Sequence, residues 1–208
     1  RGLRSFLQDK IQDVLKNKKS KTYHFEKEGI KASVFIELIP PQFHLAIYGD
    51  NYDVYPMLEM AKVMDWDVSL TGNIQKLKKE KLQSVKNLYP KDDETRPIVD
   101  RRTAIILMAH DYKTDYANLK ELIKSSAPYI ASLGPRKRFD KMIMEFKSSG
   151  ITFSDEELQR IYAPCGLEIG ANTPEEIAMS LFSEILSVFS GKTGGMLRKK
   201  AGPIHERN

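Results

Sequence analysis

Hydrophobic positions recur along the chain with two different periods, and the change between them marks its organisation. Leu3, Phe6, Leu7, Ile11, Val14 and Leu15 fall at helical spacing over residues 3–17. Thr22–Glu26 and Ile30–Ile39 alternate instead, with Glu28–Gly29 between them, which predicts a β-hairpin stopped by Pro40–Pro41. A helix and a hairpin bury little surface by themselves. Residues 1–41, which start at Arg1 rather than Met, are therefore read as the end of an N-terminal region, and residues 42–208 as one domain.

From Phe43 onward, short apolar strands alternate with amphipathic helices. Phe43–Tyr48 is an apolar run ending at Gly49. Val54, Met57, Leu58, Ala61 and Met64 then share one helical face, with Pro56 tolerable only in the first turn. Asp67–Leu70 predicts a second strand. Residues 72–101 mix lysines and acids with neither period and predict nothing clear. Thr103–Ala109 is almost wholly apolar, as a strand covered on both faces should be. Leu119, Leu122 and Ile123 mark a helix, Tyr129–Leu133 a strand, and Phe139, Met142, Ile143 and Phe146 another helix. Ser154 and Glu157 form a capping box for a short helix over Ser154–Ile161. The last helix is the best punctuated: Thr173 caps it, Pro174, Glu175 and Glu176 fill its first turn, and Gly191 ends it. Its buried stripe is Ile177, Ala178, Leu181, Ile185 and Phe189. Together these predict an α/β, Rossmann-like fold: a mostly parallel sheet with helices on both faces, preceded by a helix and β-hairpin extension.

Composition narrows the class. With 208 residues, 41% hydrophobic and 29% charged, the chain can bury a core and is not a disordered one. Its longest apolar run, Ala104–Ala109, is far shorter than the roughly 20 residues of a membrane helix. No signal-peptide pattern or Asn-X-Ser/Thr sequon occurs, and Cys165 has no second cysteine to pair with. A cytoplasmic location with no membrane partner is expected. The net charge of +5 is spread in short runs among acids, so solvated faces account for it and no nucleic-acid partner is expected.

In a sheet of this kind, ligands bind beyond the carboxyl ends of the strands, where the strand order reverses. The first such loop, Gly49-Asp50-Asn51-Tyr52-Asp53, departs from a G-x-G-x-x-G dinucleotide fingerprint. Asn51 carries a side chain, Asp50 brings a carboxylate where phosphate would lie, and Leu70–Asn73 lacks the acid that would hold a ribose. A tight strand-to-helix turn also explains Gly49. Gly134-Pro135-Arg136-Lys137-Arg138 opens a helix after a strand, so its free N–H groups and three cations suit an oxyanion; a solvent-facing basic turn is the other reading. His110 and Asp111 close the most buried strand. They serve either as ligand contacts or as a pocket wall and an N-cap. Cys165, in Ala163–Gly170, is either an activated thiol near a helix start or a small buried hydrophobe. No His/Cys cluster has metal-ligand spacing, and Gly191-Lys192-Thr193 lacks the earlier glycine of a P-loop.

Three ungapped segments, Met108–Tyr112, Pro128–Arg136 and Pro164–Ser180, resemble the xanthine dehydrogenase accessory proteins, the XdhC/CoxI family. Gly194-Gly195-Met196-Leu197-Arg198 and Ile204-His205 resemble that family's C-terminal end, so the likeness runs from about Phe43 onward. The resemblance implies a chaperone role without turnover: binding the molybdopterin form of the molybdenum cofactor and passing it to an apo-molybdenum hydroxylase of xanthine dehydrogenase type. The candidate cofactor-binding residues are Gly49, Asp50, Asn51, His110, Asp111, Gly134, Pro135, Arg136, Cys165, Gly166 and Glu168, and the charge at the Gly134–Arg136 helix entrance suits the pterin's phosphate. The sequence departs from the family at Gly49-Asp50-Asn51, where Gly-Ala-Gly is usual, and at Gly72, where an acid is common. The family's cysteine-bearing N-terminal motif has no counterpart in these residues. The alternative is an NAD(P)-dependent oxidoreductase using the same strand-end crevice. A homodimer is also expected, and a third reading makes dimer assembly the domain's main role.

Overall fold

The computed structural model describes residues 2–27, 29–39, 42–202 and 204, so the predicted Glu28 turn position, the Pro40–Pro41 stop and His205 lie outside the described residues. The chain divides into two compact units, 1–41 and 42–208. The first unit holds α1 (Gly2–Asn17) and an antiparallel pair, β1 (Lys21–Lys27) and β2 (Ile30–Ile36), with Tyr23 opposite Val34 and Phe25 opposite Ala32. In its small core Val14 and Tyr23 are buried, the Tyr23 hydroxyl donates to Asp13 at 2.7 Å, and Phe6 lies edge-on to Phe25.

The second unit is built on six parallel strands: β3 (His44–Tyr48), β4 (Asp67–Gly72), β5 (Asn87–Pro90), β6 (Thr103–Leu107), β7 (Tyr129–Ser132) and β8 (Ile161–Tyr162). Their spatial order is β5-β4-β3-β6-β7-β8. Alternation along each strand sends side chains to two cores. Leu45 and Ile47 of β3, with Leu70 and Ile106, meet α2 (Val54–Val63) and α6 (Pro174–Ser190) through Met57, Leu58, Leu181 and Ile185. Ala46 and Tyr48, with Ile105 and Leu107, meet α3 (Tyr112–Leu122) and α4 (Arg136–Ser148) through Leu119, Met142 and Phe146. Helix α6 forms as its punctuation predicts, with both halves of the Thr173–Glu176 capping box made and Gly191 left-handed at φ 64°.

Three expectations are adjusted. The silent segment 72–101 contains two short 3₁₀ turns and β5, but no α-helix; only Leu77, Leu82 and Pro97 are buried in it beyond Gly72. The strand predicted to reach Ala109 stops at Leu107, because the chain turns there to give the Ala109 N–H to the Asp115 carboxylate and to place His110 at φ 57°. The short helix predicted to Ile161 closes at Gln159 as α5 (Asp155–Gln159), and Ile161–Tyr162 pairs with β7 instead. Arg160 at that junction donates to the carbonyls of Ile123, Ser125 and Ala127, satisfying acceptors beyond the end of α3.

Candidate functional site

The order of the sheet reverses between β3 and β6, so the loops leaving these two strands part and form a crest. Their backbones nearly touch. A Cβ on Gly49 would stand 2.5 Å from the Met108 carbonyl oxygen, and one on Gly72 would stand 2.9 Å from the Gly49 oxygen. These glycines are required by close approach between strand ends. Asp50 does not face an empty phosphate position: its carboxylate accepts from the Asn73 N–H at 2.8 Å and from Lys76 at 3.4 Å, tying the β3 exit to the β4 exit. The Asn51 carbonyl accepts from the Val54 N–H in the turn that opens α2.

A cavity lies on each side of the crest. The larger, about 570 Å³, lies beside α3, and Gly49, Asp50 and Asp111 are among its walls. Asp111 also caps α3, accepting from the Thr114 N–H and hydroxyl, and those two bonds hold its carboxyl below the usual range. Tyr48 and Thr71 also line this cavity, and their hydroxyls are buried with no hydrogen-bond partner among the described residues. Burial pushes the Tyr48 phenol up to about 12, so at neutral pH it is a proton donor.

The smaller cavity, about 250 Å³, lies between α2 and α6, with apolar walls from Met57, Leu133, Pro174 and Ile177. His110 enters it together with Asp53, and His110 Nε2 lies 2.5 Å from Asp53 Oδ2. The second Asp53 oxygen, Oδ1, is buried without a partner among the described residues. His110 occupies the left-handed region, which an L-residue holds at a cost of order 1–3 kcal/mol and only where its surroundings fix it. Asp53, 57 residues before His110, was not singled out by its sequence; only its place in the first strand-end loop marks it.

At the α4 entrance, Gly134 has φ 136° and Pro135 is an N-cap without a capping side chain. Arg136 and Lys137 are exposed there. The third cation of the motif is turned inward: Arg138 donates to Asp115 at 2.6 Å, and that carboxylate is 1% exposed. Burial pushes the Asp115 carboxyl above its ordinary value, against the opposing pull of the Ala109 N–H and Arg138. The field at the helix start therefore comes from two cations and the free amides.

The Ala163–Gly170 loop is anchored to α6. Glu184 accepts from the Gly166 N–H at 2.8 Å and from the Tyr129 hydroxyl at 2.5 Å, while Ser180 donates to the Leu167 carbonyl at 2.6 Å. Cys165 packs against the core on the α2 and α6 side, and burial beside Glu184 pushes its thiol up to about 12. It is a small hydrophobe and not a thiolate. Glu168 is exposed, and neither it nor Cys165 lines either crest cavity.

A parallel sheet numbered 3-2-1-4-5-6 from its first strand, with cavities at its switch point, defines a Rossmann-type ligand-binding domain. The chain belongs to the family described as the XdhC Rossmann domain, whose model matches residues 45–185. It is 25% identical over 186 residues to a protein of Bacillus subtilis (strain 168) named as a probable xanthine dehydrogenase subunit, covering 85% of this chain and 51% of that protein. It is also 33% identical over 89 residues to the uncharacterized protein YqeB of Escherichia coli (strain K12), covering 43% of this chain and 16% of that protein. The chain thus spans about half the length, or less, of these relatives. A crystal structure described as a xanthine dehydrogenase from Bacillus halodurans shares the fold, with a TM-score of 0.63 at 20% identity, over 80% of this chain and 47% of that one.

Proposed function

We propose that this domain binds the pterin form of the molybdenum cofactor at the crest, in the slot between α2 and α6 with its phosphate toward the start of α4, and helps deliver it to a xanthine dehydrogenase-type apoenzyme. The observation that carries the reading is the His110–Asp53 pair in the wall of a slot whose other walls are largely apolar. A pterin ring is flat, supplies N–H donors, and needs both apolar walls and polar ends. Family membership and the names of the relatives favour the same class of partner.

The residues present fit the organic part of the cofactor. Asp53 and His110 would hold ring heteroatoms, and the uncapped first turn of α4 with Arg136 would hold the phosphate. The metal of the bound cofactor carries the hydroxylase's redox chemistry. This chain's Cys165 thiol, protonated and packed against the core, supplies no soft ligand to it. The chain's own contribution is to bind, orient and release.

Arg136→Ala tests the phosphate assignment. Loss of a charge-assisted contact is expected to weaken binding of the phosphorylated pterin by roughly tenfold to a hundredfold in calorimetry. Arg136 is exposed and makes no ion pair among the described residues, so folding should be unaffected. Unchanged affinity removes Arg136 from the site.

A further inference from the structure

The two loops of the pterin reading, one carrying His110 and the other Gly134 and Arg136, share one buried carboxylate. Asp115 stands in the first turn of α3, whose start is fixed by the Asp111 cap, and its side chain is 1% exposed. Asp115 Oδ1 accepts from the Ala109 N–H at 3.1 Å, and Oδ2 accepts from Arg138 at 2.6 Å. Ala109 is the residue before His110, whose φ of 57° an L-residue holds only where its surroundings impose it. Arg138 packs against the α4 entrance: a Cβ on Gly134 would stand 3.6 Å from its Cδ and from its Nη1. One carboxyl group thus joins both loops to the rigid start of α3.

Stability alone does not call for this arrangement, because apolar side chains of similar volume often replace a buried ion pair without loss. Its geometric consequence is at His110. The Asp53 carboxylate only accepts, so His110 Nε2 carries the proton of their 2.5 Å contact. His110 Nδ1 has no bonded partner among the described residues and is the ring nitrogen left for a ligand. That contact forms only with the His110 backbone turned as it is. We infer that Asp115 is a positioning residue: through the Ala109 N–H it holds His110 against Asp53, and through Arg138 it fixes the α4 entrance relative to that pair. Its effect on a bound pterin rests on the proposed function; its hold on His110 does not.

The test compares two double variants, Arg138→Met with Asp115→Asn and Arg138→Met with Asp115→Leu. Both remove the ion pair and place a side chain of similar size at position 115, but only asparagine keeps an oxygen for the Ala109 N–H. Asp115→Ala in place of Asp115→Leu gives the same comparison without added bulk, should the leucine variant not fold. The readout is the downfield ring N–H proton of His110 in NMR of the purified chain without ligand. It is assigned by its absence from His110→Asn, since asparagine tolerates the left-handed backbone. The asparagine variant is expected to keep this signal, and the leucine variant to lose it while still unfolding cooperatively in urea. Purified from a host that makes the molybdenum cofactor, the leucine variant should also carry far less pterin than the asparagine one. An unchanged His110 signal in the leucine variant, or its loss from both, overturns the inference. Where the parent carries pterin, equal pterin content in the two variants overturns it as well. A parent without pterin contradicts the proposed function alone, and the His110 signal still decides the role of Asp115.

Discussion

Replacing Arg138 by Met is expected to destabilise the 42–208 unit by about 3–5 kcal/mol at neutral pH, the usual consequence of stranding one partner of a buried ion pair. Asp115 is 1% exposed and Arg138 20% exposed, so solvent does little to screen their contact of 2.6 Å. Without the guanidinium, Asp115 retains only the Ala109 N–H as a bonded partner. Burial already raises its pKa, and removing Arg138 takes away an opposing influence, so the shift grows. A carboxyl with a raised folded-state pKa binds its proton more readily when folded. Its ionised form therefore costs stability above that pKa, and the cost fades as the pH falls through it. The deficit of Arg138→Met should be largest at neutral and alkaline pH and shrink on acidification, as read by urea unfolding across pH. Adding Asp115→Asn should recover part of the loss at neutral pH. A deficit under about 1 kcal/mol that ignores pH would show that the pair carries no such role.

The second large effect is expected from Gly49→Ala. The added Cβ would stand 2.5 Å from the Met108 oxygen and 2.9 Å from its carbonyl carbon, and both are backbone atoms of the neighbouring strand exit. The Met108 side chain, 2.8 Å away, can move aside; the backbone cannot without opening the β3–β6 pairing at Tyr48 and Leu107. Overpacking of this kind costs about 3 kcal/mol. Gly49→Ala/Met108→Ala should recover little of it, because truncating the side chain leaves the carbonyl in place. The crest separates the two cavities, so ligand binding should fall along with the melting temperature. A variant that melts within a degree or two of the parent would show that the strand exits have slack.

The elements that were legible in the sequence are those whose signals are local. Thr173, Pro174, Glu176 and Gly191 fix both ends of α6 within a few residues, and the near-continuous apolar run from Ala104 marks β6 as central. The segment 72–101 was illegible because its contacts are distant. Its lysines make ion pairs with Asp50, Glu59 and Asp67, all earlier in the chain, and no 3.6-residue stripe forms. The strand-end loops could be named before the structure, since an alternating α/β pattern implies where ligands sit, and His110 and Gly134 lie in them. The pairings within those loops could not. Asp53 meets His110 across 57 residues, and Arg138 turns from solvent to Asp115 across 23. Tyr48 and Thr71 become neighbours only once β3 and β4 are in register.

The most direct test of the proposed function is the pterin content of this chain purified from a host that makes the molybdenum cofactor. The expected result is near-stoichiometric pterin, measured by fluorescence after oxidation, and a clear loss from Arg136→Ala and Asp53→Asn. Protein that emerges folded yet free of pterin, in parent and variants alike, would contradict a cofactor site at the crest.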